Sequence, residues 1–118
     1  MQTDEERADD FAEMQDDLRG GECARIDSPA SGPDRVSFCG RFLGIIDADR
    51  YDTAQRGGGA AGFVPAPEGI FRSTRHALRA VASAAKAAGY WPNVYHVNER
   101  GNVTLLHPTT GRELAAWV

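Results

Sequence analysis

Apolar positions along the chain fall into patterned stretches separated by polar, glycine-rich and proline-rich ones. Phe11, Met14 and Leu18 recur at intervals of three and four, which predicts an amphipathic helix over residues 3–19 with a narrow apolar face. Thr3 and Glu6 stand at capping-box spacing, and Gly20-Gly21 supplies the stop. Residues 35–46 predict β structure. Val36 and Phe38 alternate, Phe42, Leu43, Ile45 and Ile46 form a denser run, and Gly40 and Gly44 mark a bulge, a bend or two short strands. Residues 73–88 predict the main helix. Ser73 is its N-cap candidate, Leu78, Val81, Ala85 and Ala88 share a stripe, and Gly89 is the C-cap.

The C-terminal stretch alternates with a period of two and predicts a three-stranded antiparallel meander. Asn98-Glu99-Arg100-Gly101 fits a type I turn closed by a left-handed glycine, which pairs Val97 with Val103 and Tyr95 with Leu105. Pro108-Thr109-Thr110-Gly111 makes the second turn. If His107 pairs with Arg112, Leu105 faces Leu114 and Val103 faces Ala116. Tyr95, Val97, Val103, Leu105, Leu114 and Ala116 then form one apolar face, on which the main helix is expected to lie. The other face carries Val94, His96, Leu106, Ala115 and Trp117, which is too apolar to be wholly wet.

Two stretches between these elements read as loop. Residues 27–34 are turn chemistry, and 47–69 lead through QRGGGAAG into PAPEG. The fold class expected is α+β: one main helix on a small antiparallel sheet, made of the meander plus one or more strands near 35–46, with an acidic N-terminal helix. The expected organisation is an acidic helix over 1–20 and a single domain over 21–118, with a flexible glycine-rich loop at 53–69.

Composition changes this picture little. Of 118 residues 42% are hydrophobic, but 18 residues are Ala and only 22 are Leu, Ile, Val or Phe. That leaves enough for one modest core. The basic residues are 12 Arg and one Lys, which with the abundant Ala and Gly suggests a GC-rich coding sequence, as in a high-GC bacterium or its phage. The start, MQTDEERADD, lacks the basic and apolar regions of a secretory signal, so a cytoplasmic location is expected. No apolar run approaches the roughly 20 residues that span a bilayer, and no membrane partner is expected. Cys23 and Cys39 read as small buried apolar residues rather than a disulfide framework.

Charge is unevenly placed. The net charge is −4, yet residues 3–19 hold eight acids (Asp4, Glu5, Glu6, Asp9, Asp10, Glu13, Asp16, Asp17) against Arg7 and Arg19. On the main helix Arg75, Arg79 and Lys86 fall within about 40° of one another at about 100° per residue, with Arg72 extending the stripe and no acid interrupting it. Such a stripe is a solvated outer face, a dock for the acidic helix, or a set of phosphate contacts.

Catalytic chemistry has little support. Cys23, Cys39, His76, His96 and His107 lack metal-ligand spacing, so neither metal nor cofactor is expected. No cysteine or serine sits in a nucleophile motif. The glycine run lacks the Gly-Lys-Ser/Thr of a phosphate loop, and Asp47, Asp49 and Asp52 lack the rest of a calcium loop and read as turn residues.

Residues 73–118 place helix, glycine, aromatic residue and three strands in order. The stretch AAKAAGYWPNVYHVNERGNVTLLHPTTGREL looks like the αβββ part of the small HicA-type toxins, which have a double-stranded-RNA-binding-like fold. That family carries a histidine in a Gly-Ser-His-type turn. The corresponding place here reads Gly101-Asn102-Val103. The resemblance therefore implies a scaffold and RNA contact without nuclease activity.

The leading expectation is a small non-enzymatic protein that binds a protein partner or a second copy of itself. A phage or mobile-element inhibitor or accessory protein acting through an acidic surface is its concrete form. Its candidate residues are Val94, His96, Leu106 and Trp117 on the outer sheet face, and Asp9, Asp10, Glu13, Asp16 and Asp17 on the acidic helix. The alternative is a nucleic-acid-binding module that uses Arg72, Arg75, Arg79 and Lys86.

Overall fold

The computed structural model describes residues 4–56 and 69–117, with side chains from Asp10 onward. The elements run α1 (Asp4–Gly20), β1 (Ala24–Asp27), β2 (Asp34–Phe38), β3 (Arg41–Ile46), α2 (Ala48–Arg56), β4 (Ile70–Phe71), α3 (Thr74–Ala88), β5 (Val94–Val97), β6 (Val103–Leu106) and β7 (Glu113–Trp117). The class is α+β, but the sheet is larger than expected. Its seven strands lie in the order β4-β3-β2-β1-β5-β6-β7. The pairs β1–β5 and β3–β4 are parallel and the rest antiparallel.

β1 lies mostly where the sequence reading assigned no element, just before the loop expected at 27–34. Ala24 and Ile26 are buried on one face, and β1 joins the β2–β3 hairpin to the meander. That join is non-local, and only four residues carry it. The expected loop at 47–69 also needs correction. Asp47 caps α2 by accepting from Arg50 N at 3.0 Å, so residues 48–56 are helical and Asp49 and Asp52 lie within a helix rather than a turn. Residues 57–68, which hold most of the predicted flexible loop, lie outside the described residues.

β2 and β3 form a hairpin closed by Cys39 (φ 46) and Gly40 (φ 80), both left-handed, as a two-residue type I′ turn requires. Leu43 is the extra residue of a bulge between the Val36–Gly44 and Ser37–Phe42 pairs. Gly44 (φ 153) lies against Gly69, whose carbonyl accepts from Ile45 N at 2.6 Å. A Cβ at Gly44 would stand 2.1 Å from that carbonyl oxygen, so only glycine lets the β4 backbone approach β3 here.

α3 follows its sequence signals closely. Ser73 accepts from His76 N, and Gly89 closes the helix in the left-handed conformation with Tyr90 N bonded to Ala85 O at 3.1 Å. Ala77, Leu78, Val81 and Ala85 are its buried residues. They pack on Ala24, Ile26, Val36, Phe38, Val94 and Leu106. The main helix therefore covers the face of Val94 and Leu106, not the face of Tyr95 and Val103 on which it was expected. The second face belongs to α1. Met14 is buried with Cys23, Tyr95 and Val103, and Leu18, Val97, Leu105 and Trp117 pack around them.

The reason for the exchange is visible in β5. Val94 and Tyr95 are both buried, on opposite faces, so alternation alone did not say which helix takes which side. The first meander turn has the expected pairs, Val97–Val103 and Tyr95–Leu105. The second differs by one residue. His107 N does bond Arg112 O at 2.8 Å, but a register shift then pairs Leu105 with Ala115 and Val103 with Trp117. Leu114 is displaced to the surface at 48% exposure, and Trp117 moves to the α1 face.

Candidate interaction surface

α1 is held by a polar anchor inside an apolar contact. Tyr95 Oη donates to Asp17 Oδ2 at 2.7 Å, and Asn93 Nδ2 donates to the same oxygen at 3.1 Å. A tyrosine on an inward sheet face needs a partner for its hydroxyl, and Asp17 supplies it. Burial, and then the bond to the Asp17 carboxylate, push the Tyr95 phenol up from its ordinary value. Burial pushes the Cys23 thiol up to about 11. Asp17 is thus an internal anchor and leaves the set of partner-facing acids. Glu13 and Asp16 are exposed, Asp10 is half-buried, and the side chain of Asp9 lies outside the described ones.

Beside this anchor α1 does not close fully on the sheet. A groove of about 370 Å³ opens between the helix and the β6–β7 edge. Phe11, Met14, Leu18, Val103 and Trp117 make its apolar lining, with Arg19 at one side. Phe11 is 42% exposed at its rim. On the far side of the groove β7 is the last strand of the sheet, and β6 is its only partner among the described residues.

The outer-face residues predicted from sequence do not assemble. Val94 and Leu106 are 1% and 7% exposed under α3, and Trp117 lies on the opposite face. His96 is half-buried in a cluster that sequence reading missed. Ser28 Oγ donates to Asp34 Oδ1 at 2.7 Å and stands 2.6 Å from His96 Nε2. With the one hydroxyl proton on Asp34, Ser28 Oγ is left to accept from His96 in its Nε2-protonated tautomer. A nucleophilic serine needs the reverse order, with the imidazole accepting from the hydroxyl and the carboxylate on the other ring nitrogen. This cluster ties the ends of β1, β2 and β5 together.

The basic stripe is present. Arg75, Arg79 and Lys86 are exposed on α3, and among the described residues no carboxylate pairs with them. Arg72 reaches Asp52 on α2 at 3.7 Å. Arg75 and Arg79 flank a smaller pocket of about 150 Å³ against Pro108 and Thr109. The stripe cannot dock on the chain's own α1, because the sheet lies between the two helices. Charge is thereby segregated across the sheet, acidic over one face and basic over the other.

Among the described residues no three His, Cys, Asp or Glu side chains gather as a metal site, and no helix is long and apolar enough to cross a membrane. Comparison of the chain with family models, with curated proteins and with solved structures finds no match.

Proposed function

We propose that the protein acts by binding another protein, on the side formed by α1 and the β6–β7 edge. The observation that carries this reading is the open apolar groove with Phe11 at its rim, set beside a helix with an excess of acids. A pocket that takes an apolar anchor, next to charge that steers approach, is the arrangement that gives both affinity and partner choice. The partner that fits is a protein presenting a basic segment with one large apolar side chain. An inhibitor or accessory protein of phage or mobile-element origin, covering a partner's basic nucleic-acid site, is its concrete form.

A second reading rests on the exposed stripe Arg75, Arg79 and Lys86, which has no carboxylate partner among the described residues and suits phosphate contact. One capture experiment separates the two. The full chain is compared with Phe11→Ala, with Glu13→Lys/Asp16→Lys, and with Arg75→Ala/Arg79→Ala/Lys86→Ala, and bound protein and nucleic acid are both quantified. The expected result is a protein whose capture falls about tenfold, or 1.4 kcal/mol, with the first two variants and is unchanged with the third. Capture indifferent to the first two overturns the proposal. Nucleic acid lost only with the third establishes the second reading instead.

A further inference from the structure

Cys23 and Cys39, separated in the sequence, are neighbours at the end of the β1–β2 ladder. The β1–β2 ladder pairs Ala24 with Phe38 and Arg25 with Ser37. One further step sets Cys23 opposite Cys39, and Cys39 N donates to Cys23 O at 2.8 Å. A single backbone bond of this kind, at the end of an antiparallel ladder, brings two Cα atoms to roughly the 5.5 Å of a paired position. Disulfides bridge Cα separations of about 4.4–6.8 Å. The pair differs in access. Cys23 is 1% exposed beneath α1, whereas Cys39 is exposed, contrary to the expectation that both are buried.

Cys39 is also, among the described residues, the only non-glycine with positive φ. Its place in the type I′ turn is one that Asn, Asp or Gly fills with least strain. The turn places the Cys39 backbone at the end of the ladder, bonded to the Cys23 carbonyl.

We propose that Cys23 and Cys39 form a redox-controlled cross-strand disulfide, with a low-molecular-weight disulfide of the glutathione type as oxidant. The exposed Cys39 reacts first. Its thiolate attacks one sulfur of the external disulfide, a mixed disulfide forms, and the departing thiolate takes up the proton that Cys39 lost. The Cys23 thiolate then attacks Cys39 Sγ and expels the second small thiolate, which takes up the Cys23 proton. Two protein thiols and one external disulfide become one protein disulfide and two small thiols. Two electrons pass from the cysteines to the oxidant. The local order of reaction follows from access, since only an exposed thiolate meets the oxidant.

The test incubates the folded full chain with excess oxidised glutathione and reads intact mass, free thiols and a non-reduced tryptic map. The expected product has lost both thiols and two hydrogens in mass, and joins the peptides 20–25 and 36–41. Cys39→Ser should remain unmodified, because the remaining thiol is shielded. Cys23→Ala should stop as a stable glutathione adduct on Cys39. Wild-type protein that stops at the adduct, or that joins the two peptides only between copies, overturns the proposal. Should Cys23→Ala fail to fold, the wild-type and Cys39→Ser arms decide the matter by themselves.

Discussion

Truncating Met14 tests whether the acidic helix is a structural layer or a loosely held tail. Met14 is 4% exposed, in contact with Cys23, Tyr95 and Val103. Met-to-Ala changes in cores cost about 2–5 kcal/mol, the transfer loss plus the cavity left behind. The groove beside Met14 is open to solvent, so neighbours relax and water enters. That places Met14→Ala at the low end, about 2–3 kcal/mol. Phe11→Ala is the internal control. Phe11 is already 42% exposed, and about 1 kcal/mol or less should be lost there. Equilibrium urea unfolding of the full chain measures both. With a slope of about 1–2 kcal/mol per molar, Met14→Ala should lower the midpoint by about 1–3 M and Phe11→Ala by about 1 M or less. Equal midpoints for wild type and Met14→Ala would refute the two-sided core, because a detached helix has no burial to lose. A buried Met14 also means that a chain shortened by residues 1–19 is a poor probe of partner binding. The deletion would uncover Tyr95 and Val103 and change the fold together with the surface.

Two further predictions follow from the backbone and from the buried acids. Gly44→Ala should cost about 2–4 kcal/mol by urea unfolding, since its Cβ would collide with Gly69 and the strand must strain or release β4, whereas Gly40→Ala, with open space around it, should cost about 1 kcal/mol. An indistinguishable pair of midpoints would show that β4 is not seated on Gly44. Cys23 and Tyr95 are both raised above their ordinary values of 9.0 and 10.0, so the folded state favours their neutral forms. Their contribution is full below about pH 9 and is lost as pH rises, through 9 to 11 for Cys23 and above 10 for Tyr95. The urea midpoint should therefore fall across that alkaline range, and Cys23→Ala/Tyr95→Phe should flatten the fall. An equally steep fall in the double variant would assign it to other groups.

How far the fold could be read in advance differs by element. α3 was legible at both ends because Ser73 and Gly89 act within one turn of themselves. The first meander turn was legible because the residues between Asn98 and Gly101 dictate the register of their own strands. The second turn was legible only to the His107–Arg112 pair. The shift beyond it lets Trp117 reach the α1 face and exposes Leu114, a choice made by packing across the sheet. Of the candidate site, the acids and Phe11 were on the page as sequence. The groove was not, because it exists only where α1 meets β6 and β7. Asp17 was misplaced for the same reason. Its partner Tyr95 is distant in sequence, and nothing local distinguishes it from the solvated acids around it.

By itself the sequence determined what depends on periodicity and on single-turn chemistry. It specified an acidic helix, a main helix with its caps, β structure near 35–46, a C-terminal meander and the alternation that makes both meander faces apolar. Only the tertiary structure decided which helix covers which face, that β1 fuses hairpin and meander into one seven-stranded sheet, and that Cys23 meets Cys39. Those outcomes rest on contacts between segments far apart in the chain. A period of two or 3.6 states that a face must be buried, while the choice of what buries it is made by the competition among all the apolar surfaces of the folded molecule.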